Sequence, residues 1–98
     1  MKIVKKNISP RYFRDVIMGI KTFEICKDED DIHSGDVVEF LEQTDEDYTG
    51  RKTQCVVSYV QRNCPECGLM DGYCIMGLQL IREFKVRGDC VEYISIEN

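Results

Sequence analysis

The stretch "SPRYFRDVIMGIKTFEIC", residues 9–26, decides the fold because its hydrophobic period changes partway along. Ser9 can cap a helix, Pro10 suits a first helical turn, and Gly19 can end one. Between them Tyr12, Phe13, Val16 and Ile17 recur at three- and four-residue spacing, which predicts one apolar stripe packed on a sheet. After the glycine the period falls to two. Strand alternation puts Thr22, Glu24 and Cys26 on one side and Phe23 and Ile25 on the other, and the apolar pair is expected to anchor the strand in the core. Lys21 falls on the Phe23 side by parity, but its closeness to Gly19 leaves its direction open. Charged residues at such a position need a partner or a task. Lys21 and Glu24 are therefore either an ordinary ion pair within the barrel or the polar groups of a ligand cleft.

Working outward, "MKIVKKNI" (1–8), "VVEFLE" (37–42) and "RKTQCVVSYV" (51–60) read as strands. "YCIMGLQLI" (73–81) is almost continuously apolar and reads as the central buried strand. "REFKVRGDCVEYISI" (82–96) reads as a closing hairpin that turns near Gly88. The connections are an acidic loop (27–36) ending in a Gly35–Asp36 turn, a polar hairpin (43–50), and a loop punctuated by Gly, Pro and Asp (61–72). The sum is a mixed α+β, mainly β fold: a small barrel of about six strands with one helix near the N-terminus covering an opening. At 98 residues the chain is expected to form a single domain, 1–98.

The formal net charge of -5 argues against a generic phosphate-backbone binder and gives no reason to expect DNA specificity. The opening residues carry no apolar run long enough for a signal peptide or a membrane span, so no membrane partner is expected and a cytoplasmic location is. In that setting the six cysteines read as free thiols or metal ligands rather than a disulfide set. Cys64 and Cys67, in "CPEC", offer two thiolates at a spacing that suits one edge of a tetrahedral zinc site. A full site would draw on Cys26, Cys55, Cys74, Cys90 or His33. Reduced loop thiols are the preferred reading, ahead of zinc and of a redox-active pair, so no obligatory cofactor is expected. Cys55, Cys74 and Cys90 lie in strands, where cysteine behaves as a small hydrophobe. "DEDD", Asp28 to Asp31, lacks the alternating ligands and glycine of a calcium loop and reads as a solvated acidic loop.

Four segments in order, "GIKTFEI" (19–25), "SGDVV" (34–38), "YTGR" (48–51) and "GLMDGYCIMGL" (68–78), resemble the ASCH-like domains of the PUA-like superfamily, and most closely the domain-of-unknown-function family DUF3850. The resemblance covers roughly residues 4–80. It implies a PUA-like pseudobarrel whose cleft, beside the helix, takes RNA or a nucleoside-like molecule. One ASCH branch consists of amidohydrolases acting on N4-acetylcytidine through a lysine, a threonine and a distant glutamate. Lys21 matches that lysine, Glu24 stands where the threonine would, and the distant glutamate has no counterpart, Asp71 being the nearest acid that could replace it. Cys26 stands where the related signature has arginine, and "DEDD" replaces an Asn-Asp-Arg-Asp run. Both changes remove positive charge from the cleft edge.

The expected function is thus an RNA- or nucleoside-binding module with Lys21, Thr22, Glu24, Arg51 and Tyr73 as ligand contacts. Arg51 offers a planar fork of donors to a phosphate, and Tyr73 a ring that can stack on a base. The alternative is an amidohydrolase using Lys21, Glu24 and Asp71. A third reading is an interaction domain stabilised by zinc at Cys64 and Cys67.

Overall fold

The computed structural model describes the backbone of residues 1–87 and 90–95 and the side chains of residues 1–81. Six strands and one helix follow in the order β1 (Ile3–Ile8), α1 (Pro10–Ile17), β2 (Phe23–Lys27), β3 (Val37–Gln43), β4 (Tyr48–Arg62), β5 (Tyr73–Arg87) and β6 (Cys90–Ser95). The sheet order is β1-β3-β4-β5-β2, with β6 added on β5. Only β1 and β3 are parallel, and the other pairs are antiparallel. The sheet curls into a half-barrel, mainly β with one helix, as the sequence predicts. The segment 73–87 is one continuous strand rather than two, and the turn expected near Gly88 lies outside the described residues.

Helix α1 carries the chain from β1, at one edge of the five-strand path, to β2 at the other. Gly19 stops it. The Gly19 amide donates to the Val16 carbonyl at 3.0 Å and the Ile20 amide to the Asp15 carbonyl at 2.9 Å. This paired closure needs a left-handed residue, and Gly19 adopts φ 73°. Ser9 occupies the start, but its hydroxyl makes no capping bond; its carbonyl accepts from the Phe13 amide at 2.8 Å.

The core fills the concave side of the sheet. Phe13 and Val16 from the helix meet Val38, Phe40, Cys55, Val57, Cys74, Met76 and Leu78. Ile17 joins this cluster partly buried, whereas Tyr12, expected in the same stripe, is exposed. Strand β4 changes face partway. A bulge between Val57 and Tyr59 lets Cys55 and Val57 point inward before it and Val60 after it. The same parity carries Arg62, paired with Cys74, to the concave side.

Strand β2 reverses the expected facing. Its register sets Glu24 opposite Met76 and Cys26 opposite Cys74, both core residues, so Glu24 and Cys26 look inward and are half-buried. Phe23 and Ile25 lie on the convex face, 47% and 50% exposed. A one-residue choice of register flips every side chain of a strand, and here β5, not the hydrophobicity of β2, makes that choice.

A candidate ligand cleft beside the helix

Charged side chains gather in two regions of the half-barrel. The first lies around α1 and takes in residues 19–24, the end of β3 and the start of β4. The Lys21 ammonium lies 4.7 Å from the Tyr12 ring centroid and 4.5 Å from that of Phe23. The closure of α1 sets this position, because the Lys21 amide donates to the Asp15 carbonyl at 3.0 Å. Thr22 continues the β2–β5 pairing, its carbonyl accepting from the Leu78 amide at 2.8 Å, while its side chain is exposed. Glu24 follows, half-buried. Burial raises its carboxyl above the usual range, opposed by the positive charge of Lys21 and by the Ile25 amide.

Arg51 stands beside the helix, its guanidinium carbon 4.9 Å from the Phe13 ring centroid. It is not a free phosphate fork: Nη1 is 3.8 Å from Oε2 of Glu42. Glu42 is buried, with Oε1 accepting from the Thr49 hydroxyl at 2.7 Å. The sequence reading passes over Glu42. The signal was available in strand parity, since Val38, Phe40 and Glu42 alternate on one face and the first two are unmistakably core types.

The second region, around the acidic loop, is organised by salt bridges. Arg62 grips Asp28 with two bonds, Nε to Oδ2 at 2.7 Å and Nη2 to Oδ1 at 3.1 Å, and donates a third to the Ile32 carbonyl at 2.8 Å. These bonds to Arg62 hold the Asp28 carboxyl below the usual range. Lys6 meets Asp30 at 2.6 Å. The run Asp28–Asp31 is therefore not simply a solvated acidic loop: two of its carboxylates bind it to β4 and β1. Asp36 ties the following turn as expected, accepting from the amides of His33 at 2.8 Å and Lys2 at 3.1 Å, which lower its carboxyl.

The expected site residues do not all meet. Lys21, Thr22 and Glu24 follow the helix stop, whereas Arg51 stands by Phe13 and Glu42, and the register puts Glu24 level with Val60, closer along β4 to Arg62 than to Arg51. Tyr73 pairs with Lys27 at the end of β2 and has the parity of the convex face, opposite to Glu24. From Gly77, the partner of Phe23, it is four residues along β5, about 13 Å. Asp71 lies two residues beyond Tyr73, exposed, in the loop between β4 and β5. In that same loop Cys64 and Cys67 are joined as a disulfide rather than standing as separate thiols. Their Cα atoms are 5.3 Å apart, within the span that a disulfide requires. Cys26 and Cys74 face each other across β2 and β5 with sulfurs 3.7 Å apart and remain free, as does buried Cys55. Burial raises the thiols of Cys26 and Cys55 to about 12, the neighbouring Cys74 adding to the effect on Cys26.

The fold and this arrangement define a small, mainly β half-barrel with one helix, among the described residues, packed on its sheet and charged side chains gathered around it. The particular family follows from comparison: DUF3850, a domain of unknown function, matches residues 4–78, and the chain belongs to that family. No curated protein matches the chain. No helix among the described residues is long and apolar enough to cross a membrane.

Proposed function

We propose that the chain is a binding module of the ASCH, PUA-like type that holds a nucleoside-like molecule at the helix end, near Lys21, Thr22 and Glu24. The carrying observation is Glu24. A half-buried carboxylate on the concave face, its carboxyl raised by burial and facing the charge of Lys21, is an unusual feature for a surface that only needs to pack. Such a carboxylate accepts hydrogen bonds from an exocyclic amine, and Lys21 offers donors to a carbonyl oxygen. A small, uncharged ligand fits better than an RNA backbone. Lys6, Lys52, Arg51 and Arg62 each lie within ion-pair distance of a carboxylate, so these cations are already engaged. This agrees with the acidic net charge of -5.

The amidohydrolase alternative needs a second acid near Lys21. Asp71 lies at the other end of the β2–β5 ladder, which weighs against that set. Glu42 is another buried acid, but Thr49 and Arg51 already engage it.

The experiment is calorimetric titration of wild type, Lys21→Ala and Glu24→Gln with a nucleoside panel that includes acylated cytidines, with chromatography of each mixture for turnover. Binding in wild type that is lost in both variants, with no product formed, supports the module. Product in wild type that disappears in the variants means an enzyme. No binding by wild type to any panel member removes the nucleoside reading and leaves the pair as a structural contact.

A further inference from the structure

The loop between β4 and β5 holds a group that the cleft does not use. With Cys64 and Cys67 joined as a disulfide, their sulfurs and one carboxylate oxygen of Glu66 lie within 4.8 Å of one another. The loop is built to keep them together. Residues Pro65–Cys67 form a single 3-10 turn in which the Cys67 amide donates to the Cys64 carbonyl at 3.0 Å. The Gly68 amide then donates to the Pro65 carbonyl at 3.0 Å, and Gly68 turns the chain back at φ 83°, a conformation that glycine adopts without strain. The Leu69 amide also reaches the Cys64 carbonyl, at 3.3 Å. Cys64 and Leu69 are buried, anchoring both ends, while Glu66 and Cys67 are exposed.

We propose that this loop, once its disulfide is reduced, binds one zinc ion through the Cys64 and Cys67 thiolates and the Glu66 carboxylate, with the fourth position open to solvent. Two thiolates favour a borderline-soft ion such as zinc over calcium or magnesium, which take oxygen ligands. The open position follows because, among the described residues, no further ligand joins the group. Cys26 and Cys74 face each other across the sheet, Cys55 is buried in the core, and none of the three belongs to the group within reach of the loop. Reduction breaks the sulfur–sulfur bond with two electrons and two protons, supplied by a phosphine and water as the phosphine becomes its oxide. Each thiol then releases its proton to solvent as the ion binds. The inference is independent of the nucleoside reading, since it rests on different residues.

The test uses the full chain in excess phosphine reductant, titrated with zinc against a chromogenic chelator, with cobalt substituted for zinc to read the ligand set by absorption. One ion per reduced chain, a tetrahedral cobalt spectrum with sulfur-to-metal charge transfer, and no uptake by the oxidised chain are expected. Even outer-shell partners shift metal affinity by about 10–100-fold, so Cys67→Ser should weaken binding by at least about 100-fold and Glu66→Gln by at least about tenfold. Both residues are exposed, so each variant is expected to fold, which circular dichroism checks. Undiminished zinc affinity in Cys67→Ser, uptake by the oxidised chain, or no uptake by the reduced chain would overturn the site. One ion per two chains with a four-sulfur cobalt spectrum would also overturn it, in favour of an ion shared between two copies.

Discussion

The acidic loop and strand β2 treat their carboxylates in opposite ways. In the loop Asp28 and Asp36 receive several donors each, and both carboxyls are lowered. On β2 Glu24 is half-buried beside a lysine whose ammonium also lies over two aromatic rings, and its carboxyl is raised. Donors stabilise the charged form of Asp28 and Asp36, whereas at Glu24 burial outweighs both Lys21 and the Ile25 amide. On the proposed function, the contrast separates acids that hold a loop from one that meets a ligand, and it can be tested from both sides.

The largest effect is expected from Arg62→Leu. It removes three hydrogen bonds and leaves Asp28 and the Ile32 carbonyl without their shared donor, at a cost of about 2–3 kcal/mol. For a domain of this size that is roughly a 10–20 °C lower Tm at pH 7, readable by calorimetry. The sign with pH follows from the lowered carboxyl of Asp28. A depressed carboxyl contributes stability above its unfolded pKa and loses it as pH falls through its folded value, so the gap between wild type and Arg62→Leu should narrow in acid. A gap that stays constant down to acid unfolding would show that lost packing, not the ion pair, explains the cost.

Lys21→Ala should cost less, about 1 kcal/mol from the two ring contacts, and on the proposed function it should also abolish nucleoside binding. A stability loss equal to that of Arg62→Leu would erase the distinction between the two regions. Next in size is a chemical contrast between thiols. Burial of Cys26 and Cys55 keeps thiolate scarce at neutral pH, so after reduction peptide mapping should find exposed Cys67 alkylated well before either. Early labelling of Cys26 would mean that the β2 edge opens readily.

Glu24→Gln is the smallest expected effect on stability and has the opposite sign. Because burial raises the Glu24 carboxyl, the folded state loses stability as pH rises through that group's range, and the amide removes this loss. The variant should melt at or slightly above wild type at pH 7 and match it below pH 4. Destabilisation at pH 7 would make Glu24 a structural partner of Lys21.

Local grammar carried much of the fold. The Pro10 start and Gly19 stop, the strand segments and the Asp36 turn could all be read from neighbouring residues, because helix closure, alternation and turn amides act over a few positions. Part of the candidate site was legible for the same reason, Lys21 and Glu24 being charges placed beside a helix stop. Glu42 was missed although its face was predictable, because a lone glutamate in a strand carries no motif.

The sequence by itself determined a mainly β chain with one early helix and an acidic balance, since these depend on composition and on contacts close along the chain. Only the tertiary structure decided which face of β2 looks inward, which cation holds which acid, and which candidate residues meet. Pairing with β5 turned Glu24 in and Phe23 out, the bulge in β4 brought Arg62 to Asp28, and the length of β5 kept Tyr73 away from Lys21. Those outcomes depend on register between strands distant in sequence, where a shift of one residue reverses every side chain and local pattern cannot choose between the two.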